Sequence, residues 1–462
     1  MKRLADFTVF ACISVSALAS CKDDAENDGD DGSDSSSETT ATTTVSTSMT
    51  SSSTTDNPTS PGCIDGNENC PCLGGECVGS LECIEDLCKP GATFDPEDDD
   101  RGVLGGLVVP VVVNVVADEF SWSQVAGPTV VWQGDGTSIQ VPVPADAAVG
   151  EVITMRITAI RNSIESTFDY SITVLEPVFE DFLVLVDDPE QLGTSVGLDF
   201  DDNGNMWVSS SEGFISRFAI DGSFQSRYDL EGAAGIAWGT LYLPDSDDNI
   251  DVLYAAQSTP GAVSAYNPNN DAFSTVTDAL DDLTALGAVD MVLPSDGDLY
   301  LVDPGGSRLL RYTDDDLTSR VLATEVTGPA VLSFGPDANV LYVGAVGQVW
   351  RVGLLQDGLT ATPELYVEFG DPADPTQEVG GLAFDEGGNL WIGVPGAATV
   401  HIAPYAGAGA SATVRSFSDV GPGISSFAQL QHGNGDFSDS ALYWTNLSDR
   451  TVARIETGLR GL

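Results

Sequence analysis

Residues 197–211 read GLDFDDNGNMWVSSS. An apolar strand runs into an acidic Asn/Gly turn, and a second strand follows with an aromatic near its start. The pattern returns as VDMVLPSDGDLYLVDP (289–304), LSFGPDANVLYVGAV (332–346) and GLAFDEGGNLWIGVP (381–395). Two diverged copies complete the set: GIAW (235–238) with IDVLYAAQ (250–257), and AQLQHGNGDFSDSALYWTN (428–446). The anchor aromatics are Trp207, Tyr254, Tyr300, Tyr342, Trp391 and Tyr443, separated by 47, 46, 42, 49 and 52 residues. A period of that size in a β-rich chain is the signature of propeller blades. The sequence therefore predicts an all-β chain with a six-bladed β-propeller over 180–462.

A third strand follows each anchor: FISRF (214–218), AVSAY (262–266), LLRY (309–312), VWRV (349–352), TVHI (399–402) and TVARI (451–455). Arg217, Arg311, Arg351 and Arg454 recur at one slot, and His401 is read there in the fifth copy. A residue repeated in this way reads as architectural, an exposed position pairing with nearby acidic turns; one such pair alone contributes little. The last copy stops soon after its third strand, and DFLVLVDD (181–188) precedes the first copy. That segment is expected to supply the outermost strand of the final blade and so close the ring.

Upstream the chain is modular. Lys2 and Arg3 precede an apolar stretch from Phe7 to Ala19, too short to span a bilayer. Residues 1–20 read as a secretory signal. Leu18-Ala19-Ser20-Cys21 resembles the lipobox of bacterial lipoproteins. The resemblance implies lipidation of Cys21, and Lys22 after it, in place of an aspartate, points to the outer membrane. No later stretch offers ~18 uninterrupted apolar residues, so the chain is expected to be anchored, not spanning. Residues 21–61 are acidic and Ser/Thr-rich, with almost nothing to bury, and are expected to be a disordered tether.

Six cysteines then fall within 26 residues: Cys63, Cys70, Cys72, Cys77, Cys83 and Cys88. An even count so closely packed in an exported chain reads as a disulfide module over 62–90, with 15 connectivities open. Residues 91–102, with DPEDDD, read as an acidic linker. From 103 to 176 short β-rich runs alternate with turn signals, and Ile153, Met155, Ile157 and Ala159 share one face. FSWSQVAGPTV (120–130) resembles the early strand and turn of PKD-type and related Ig-like modules, through Trp122, Gly127 and Pro128. The resemblance implies a β-sandwich used as a spacer or adhesive unit.

The chain has a net charge of −54, and 180–462 alone carries 42 acidic against 10 basic residues. Such a surface repels nucleic acid and anionic lipid. Its self-repulsion is relieved by salt, which predicts a protein less stable at ~10 mM than at ~1 M NaCl. Equal stability at both would contradict this.

The D-x-x-G-N-[LM]-W turns and the spacing are similar to the NHL and SMP-30/gluconolactonase-like six-bladed propellers. Enzymes of that group are lactonases that hold a divalent cation in the channel. The cation is a hard ion such as Ca²⁺ needing several oxygens, and it acts as Lewis acid and water activator. The family motif places Asn or Asp immediately before a Gly near the start of innermost strands. Here Val196 precedes Gly197, Ala234 precedes Gly235 and Gly380 precedes Gly381; the third copy has Val289 and then Asp290. The early Glu-x-Pro-x-Trp motif is also missing. Asp290 and Glu378 remain as channel candidates for a metal.

Asp199, Asp201, Asn203 and Gly204 match the opening of an EF-hand loop, but position 12 is Ser210 where a Glu is needed. Asn-Gly at this point is also what a hairpin requires. His401 and His432 are the only histidines, without a G-x-S-x-G elbow beside them. No residue is assigned a catalytic role. The sequence reads as a cell-envelope lipoprotein presenting a propeller as a non-enzymatic binding or scaffold module, with a protein or glycan partner. The alternative is a divergent metal-dependent lactonase or hydrolase.

Overall fold

The computed structural model describes residues 68–73, 76–78, 81–98, 100–184, 189–243, 248–258, 261–277, 291–292, 298–312, 319–324, 326, 328–337, 339–354, 361–405, 412, 414–417, 427–446 and 450–462. Six four-stranded antiparallel sheets form the propeller. From innermost to outermost strand, blade 1 is Ser195–Phe200, Asn205–Ser210, Phe214–Ala219 and Phe224–Asp229. Blade 2 begins with Ala233–Leu243, blade 3 with Met291–Val292, blade 4 with Val331–Phe334 and blade 5 with Gly381–Phe384. Blade 6 comprises Phe427–His432, Ala441–Asn446, Thr451–Glu456 and, on its outer edge, Phe179–Val184.

Phe179–Val184 pairs antiparallel with Thr451–Glu456, so the strand that precedes blade 1 completes blade 6. The expected closure is present, shifted a few residues toward the N-terminus. All six anchor aromatics are buried, at no more than 2% exposure. Apolar side chains pack between neighbouring blades, and each junction has its own cluster. Alternation explains this: successive residues of a strand point to opposite faces of the blade. Tyr443 thus packs toward blade 1, and its neighbours Leu442 and Trp444 toward blade 5.

Residues 93–175 form two sheets packed face to face. One consists of Thr93–Pro96, Val108–Val116 and Ser138–Pro142; the other of Asp100–Leu104, Ile164–Leu175, Val152–Arg161 and Glu119–Ala126. Ile153, Met155, Ile157 and Ala159 all face inward and are fully buried. Within FSWSQVAGPTV, the Gln124 amide clamps the turn, donating to the Pro128 carbonyl at 2.6 Å and accepting from Val130 N–H at 3.1 Å. Gly127 has φ +88°, and a Cβ there would meet the Val152 carbonyl at 2.4 Å. Trp122 is half-buried against the core and donates its indole N–H to Gly136.

Residues 91–102 are not a linker. Thr93–Pro96 lies within them and Asp100–Leu104 begins there, and each supplies one strand to a different sheet. The acidic run hides their pattern, because Phe94 is the only large apolar residue between 91 and 102. Phe94 stacks on Phe168, and Val103 is fully buried.

The sandwich is also no detached spacer. Its core is continuous with the junction of blades 5 and 6, where Val103, Leu104 and Val109 join one cluster with Trp391, Leu442, Trp444 and Leu459. Among the described residues no helix is long and apolar enough to cross a membrane.

Candidate functional site

The D-x-x-G-N-[LM]-W turns resolve into a built polar node. In blade 1 the Asp201 carboxylate accepts from the backbone N–H groups of Asn203 and Asn205, from the Asn205 amide and, at 2.9 Å, from the Trp207 indole. Blade 5 repeats this: Asp385 accepts from Gly387 N–H, Asn389 N–H, the Asn389 amide and, at 3.0 Å, the Trp391 indole. The motif is therefore a hairpin brace that fixes the anchor tryptophan. The EF-hand pattern does not form a cation loop, since Asp199 turns away and accepts from Trp238 N–H in blade 2 at 2.5 Å. Full burial pushes the Asp385 carboxyl up to about 7, opposed first by the Trp391 indole and then by the Asn389 and Gly387 donors.

The blade-5 node has a second layer. Asn389 Oδ1 accepts from Val108 N–H at 2.9 Å, and its Nδ2 donates to the Val108 carbonyl at 3.0 Å. Glu386, next in the turn, accepts from Arg101 at 2.5 Å and from Arg460 N–H at 3.1 Å. Gly387 permits the approach, because a Cβ there would lie 2.0 Å from the Val108 carbonyl oxygen. Blade 1 carries Asn203 at the equivalent position, so its node cannot accept a strand in this way. There the turn is packed by Asp436 and Gly435 of blade 6.

At the centre of the ring, glycines mark where blades approach most closely. A Cβ on Gly197 would fall 2.7 Å from the Ala234 carbonyl, and one on Gly381 would fall 2.5 Å from Leu430 N. The residues just before Gly197, Gly235 and Gly381 are Val196, Ala234 and Gly380, none with an oxygen-bearing side chain. At the seam of blades 1 and 6, Gln429 accepts from Leu198 N–H at 2.7 Å, and the Gln431 amide donates to the Asp199 carboxylate at 3.5 Å. Glu378 is exposed, bridged through its backbone to Val346. Asp290 lies outside the described residues.

Among the described residues, the one group of three His, Cys, Asp or Glu side chains within ligand distance of one another is Cys72, Cys77 and Cys88. Those sulfurs are in disulfides: Cys72 with Cys83 and Cys77 with Cys88, while Cys70 is disulfide-bonded as well. Cys21 and Cys63 lie outside the described residues.

The recurring arginines have separate partners. Arg311 pairs with Asp298 in its own turn, Arg351 with Glu364 and Arg454 with Glu180 on the next strand outward. Arg217 faces Ser226 across the strands and instead lies over the Trp207 ring, with the Tyr266 hydroxyl at 3.4 Å. Tyr266 in turn donates to Asp271 at 2.7 Å. His401 does not occupy this slot. It is registered opposite Ile392, and Ile402 stands opposite the Trp391 anchor. A one-residue slip in register reverses the face, so His401 packs on Phe369 and contacts Ser416 Oγ across the strands at 3.1 Å.

His432 is the polar group that the sequence did not single out for its surroundings. It is fully enclosed on the innermost strand of blade 6, and neither ring nitrogen makes a hydrogen bond of normal geometry. Burial pushes its pKa down to about 4, against a weaker opposing pull from the Asp439 backbone.

No protein-family model matches this chain, and no curated protein matches it. Solved structures similar to it include an auxiliary nutrient binding protein from Bacteroides thetaiotaomicron (12% identity, TM-score 0.45, 79% of this chain and 96% of that one). A gluconolactonase-type protein gives 17% identity and TM-score 0.45, over 62% of this chain and 94% of that one. A virginiamycin B lyase from Staphylococcus aureus gives 16% identity and TM-score 0.42, over 62% and 88%.

Proposed function

We propose that this protein is a cell-envelope lipoprotein, anchored through Cys21 to the outer membrane, whose propeller binds a protein or glycan partner without catalysing a reaction. The observation that carries this reading is the trio Val196, Ala234 and Gly380 at the places where lactonases of the resembling group supply metal ligands. A hard cation needs several converging oxygens, and these side chains offer none. The residues therefore do not fit a family-type metal centre. The rigid seat of the sandwich on blades 5 and 6 supports a presenting role, since it fixes the propeller relative to the segment leading to the anchor.

The test is hydrolysis of simple aldonolactones by the soluble form, residues 22–462, with Ca²⁺ and with chelator. The reading expects no turnover above buffer in either condition. Turnover that needs Ca²⁺ would overturn it in favour of a metal-dependent hydrolase.

A further inference from the structure

Residues Thr457–Leu462 leave blade 6 and run as a strap across the blade-5 node. Leu104 N–H of the sandwich donates to the Thr457 carbonyl at 3.2 Å, and Glu386 N–H to the Arg460 carbonyl at 2.7 Å. Gly461 N–H donates to the Asp439 carbonyl at 3.1 Å, and Leu462 N–H to the Phe384 carbonyl at 3.1 Å. Gly458 lies against the Gly102 backbone, where a Cβ would fall 1.7 Å from the carbonyl oxygen. The strap thus ties together the sandwich, blade 5 and blade 6.

His432 lies beneath it. A Cβ on Gly461 would fall 2.4 Å from His432 Cβ and 3.0 Å from its ring carbon Cγ, so the strap rests on the imidazole. We infer that the strap is an acid-released clamp, opened when His432 takes up a proton. A buried imidazolium whose one opposing pull is the weak one from the Asp439 backbone is strongly disfavoured unless the site opens to water.

The charged groups on the surrounding elements do not offset this charge. Asp439 pairs with Arg460, and Glu386 with Arg101. Asp385 is taken up by its own turn and by the Trp391 indole. Asp199 is held by Trp238 N–H, and Asp436 packs against Gly204. Opening the strap exposes His432 but leaves the Asp385 donors in place, because all of them belong to blade 5.

The test is amide hydrogen exchange on the soluble form between pH 7 and pH 4, corrected for the intrinsic pH dependence of exchange. Protection at Gly461, Leu462 and Glu386 should fall about tenfold per pH unit below ~6.5, as one proton is taken up on opening. In His432→Met that slope should vanish. Unchanged protection across the range, or the same slope in the variant, would overturn the clamp. Should the variant not fold, titration of the wild-type imidazole signals decides; the chain has only two histidines. A His432 that titrates above pH 6 in the folded protein would refute the inference, and one near 4 supports it.

Discussion

Asn389 holds Val108 through both edges of its amide, accepting from the backbone N–H and donating to the carbonyl of the same residue. A propeller turn thereby recognises the backbone of a sandwich strand as a neighbouring β-strand would. Asn205 in blade 1 has the same brace to Asp201 and no such second contact.

The pair predicts an asymmetry. Asn389→Ala strips partners from Val108 and Asp385 together and should destabilise by about 3 kcal/mol, given the cost of unsatisfied buried groups. Asn205→Ala should cost about 1 kcal/mol on the same reasoning. Urea denaturation of both variants measures the difference; equal losses would show that the second contact contributes nothing.

Gly387 should be intolerant of any side chain. Gly387→Ala forces the turn away from Val108, and overpacking of this kind costs about 1–3 kcal/mol. The Glu386–Arg101 ion pair should loosen with it, seen as faster exchange at the Leu104 and Val108 amides. Full wild-type stability of the variant would argue against a tight seat.

The pH dependence of global stability should show two opposing slopes. Folded His432 titrates at about 4 against an ordinary value of 6.5, so unfolding takes up a proton and stability rises with pH across that window. Folded Asp385 titrates at about 7 against 3.8, so unfolding releases a proton and stability falls over most of the same range. Each slope is about 1.4 kcal/mol per pH unit, and they cancel between about pH 4 and 6.5. Relative to the wild type, His432→Met should therefore lose stability as pH rises, and Asp385→Asn should gain it. Parallel curves for all three proteins would contradict both assignments.

Deleting Phe179–Val184 removes the outer strand of blade 6 and the Glu180–Arg454 pair. The propeller as a whole should melt at lower temperature, because ring closure couples every blade. An unchanged melting temperature would mean that this strand is dispensable.

The blades were legible because each copy carries its own turn and its own buried aromatic, and a period survives divergence. The closing strand was legible from an unassigned apolar segment ahead of the first copy. The slot of His401 was misread because the fifth copy's third strand is offset by one residue against its neighbour, and spacing alone does not fix register. The two strands that begin within 91–102 were hidden by Asp and Glu that face solvent. Sequence also held no sign that the sandwich would be seated on the propeller: Asn389 and Val108 meet across 281 residues of chain separation. The strap was invisible for a similar reason, since GLRGL looks like a tail and is fixed by backbone bonds to three other elements.

The most direct measurement of the functional account is a calorimetric titration of the soluble form with Ca²⁺ after chelator treatment. A propeller with Val196, Ala234 and Gly380 where the resembling group carries oxygen ligands predicts no binding, or only weak binding at many surface carboxylates that salt abolishes. A single site of micromolar affinity, lost in Glu378→Gln or Asp290→Asn, would contradict the account and place a metal centre in the channel.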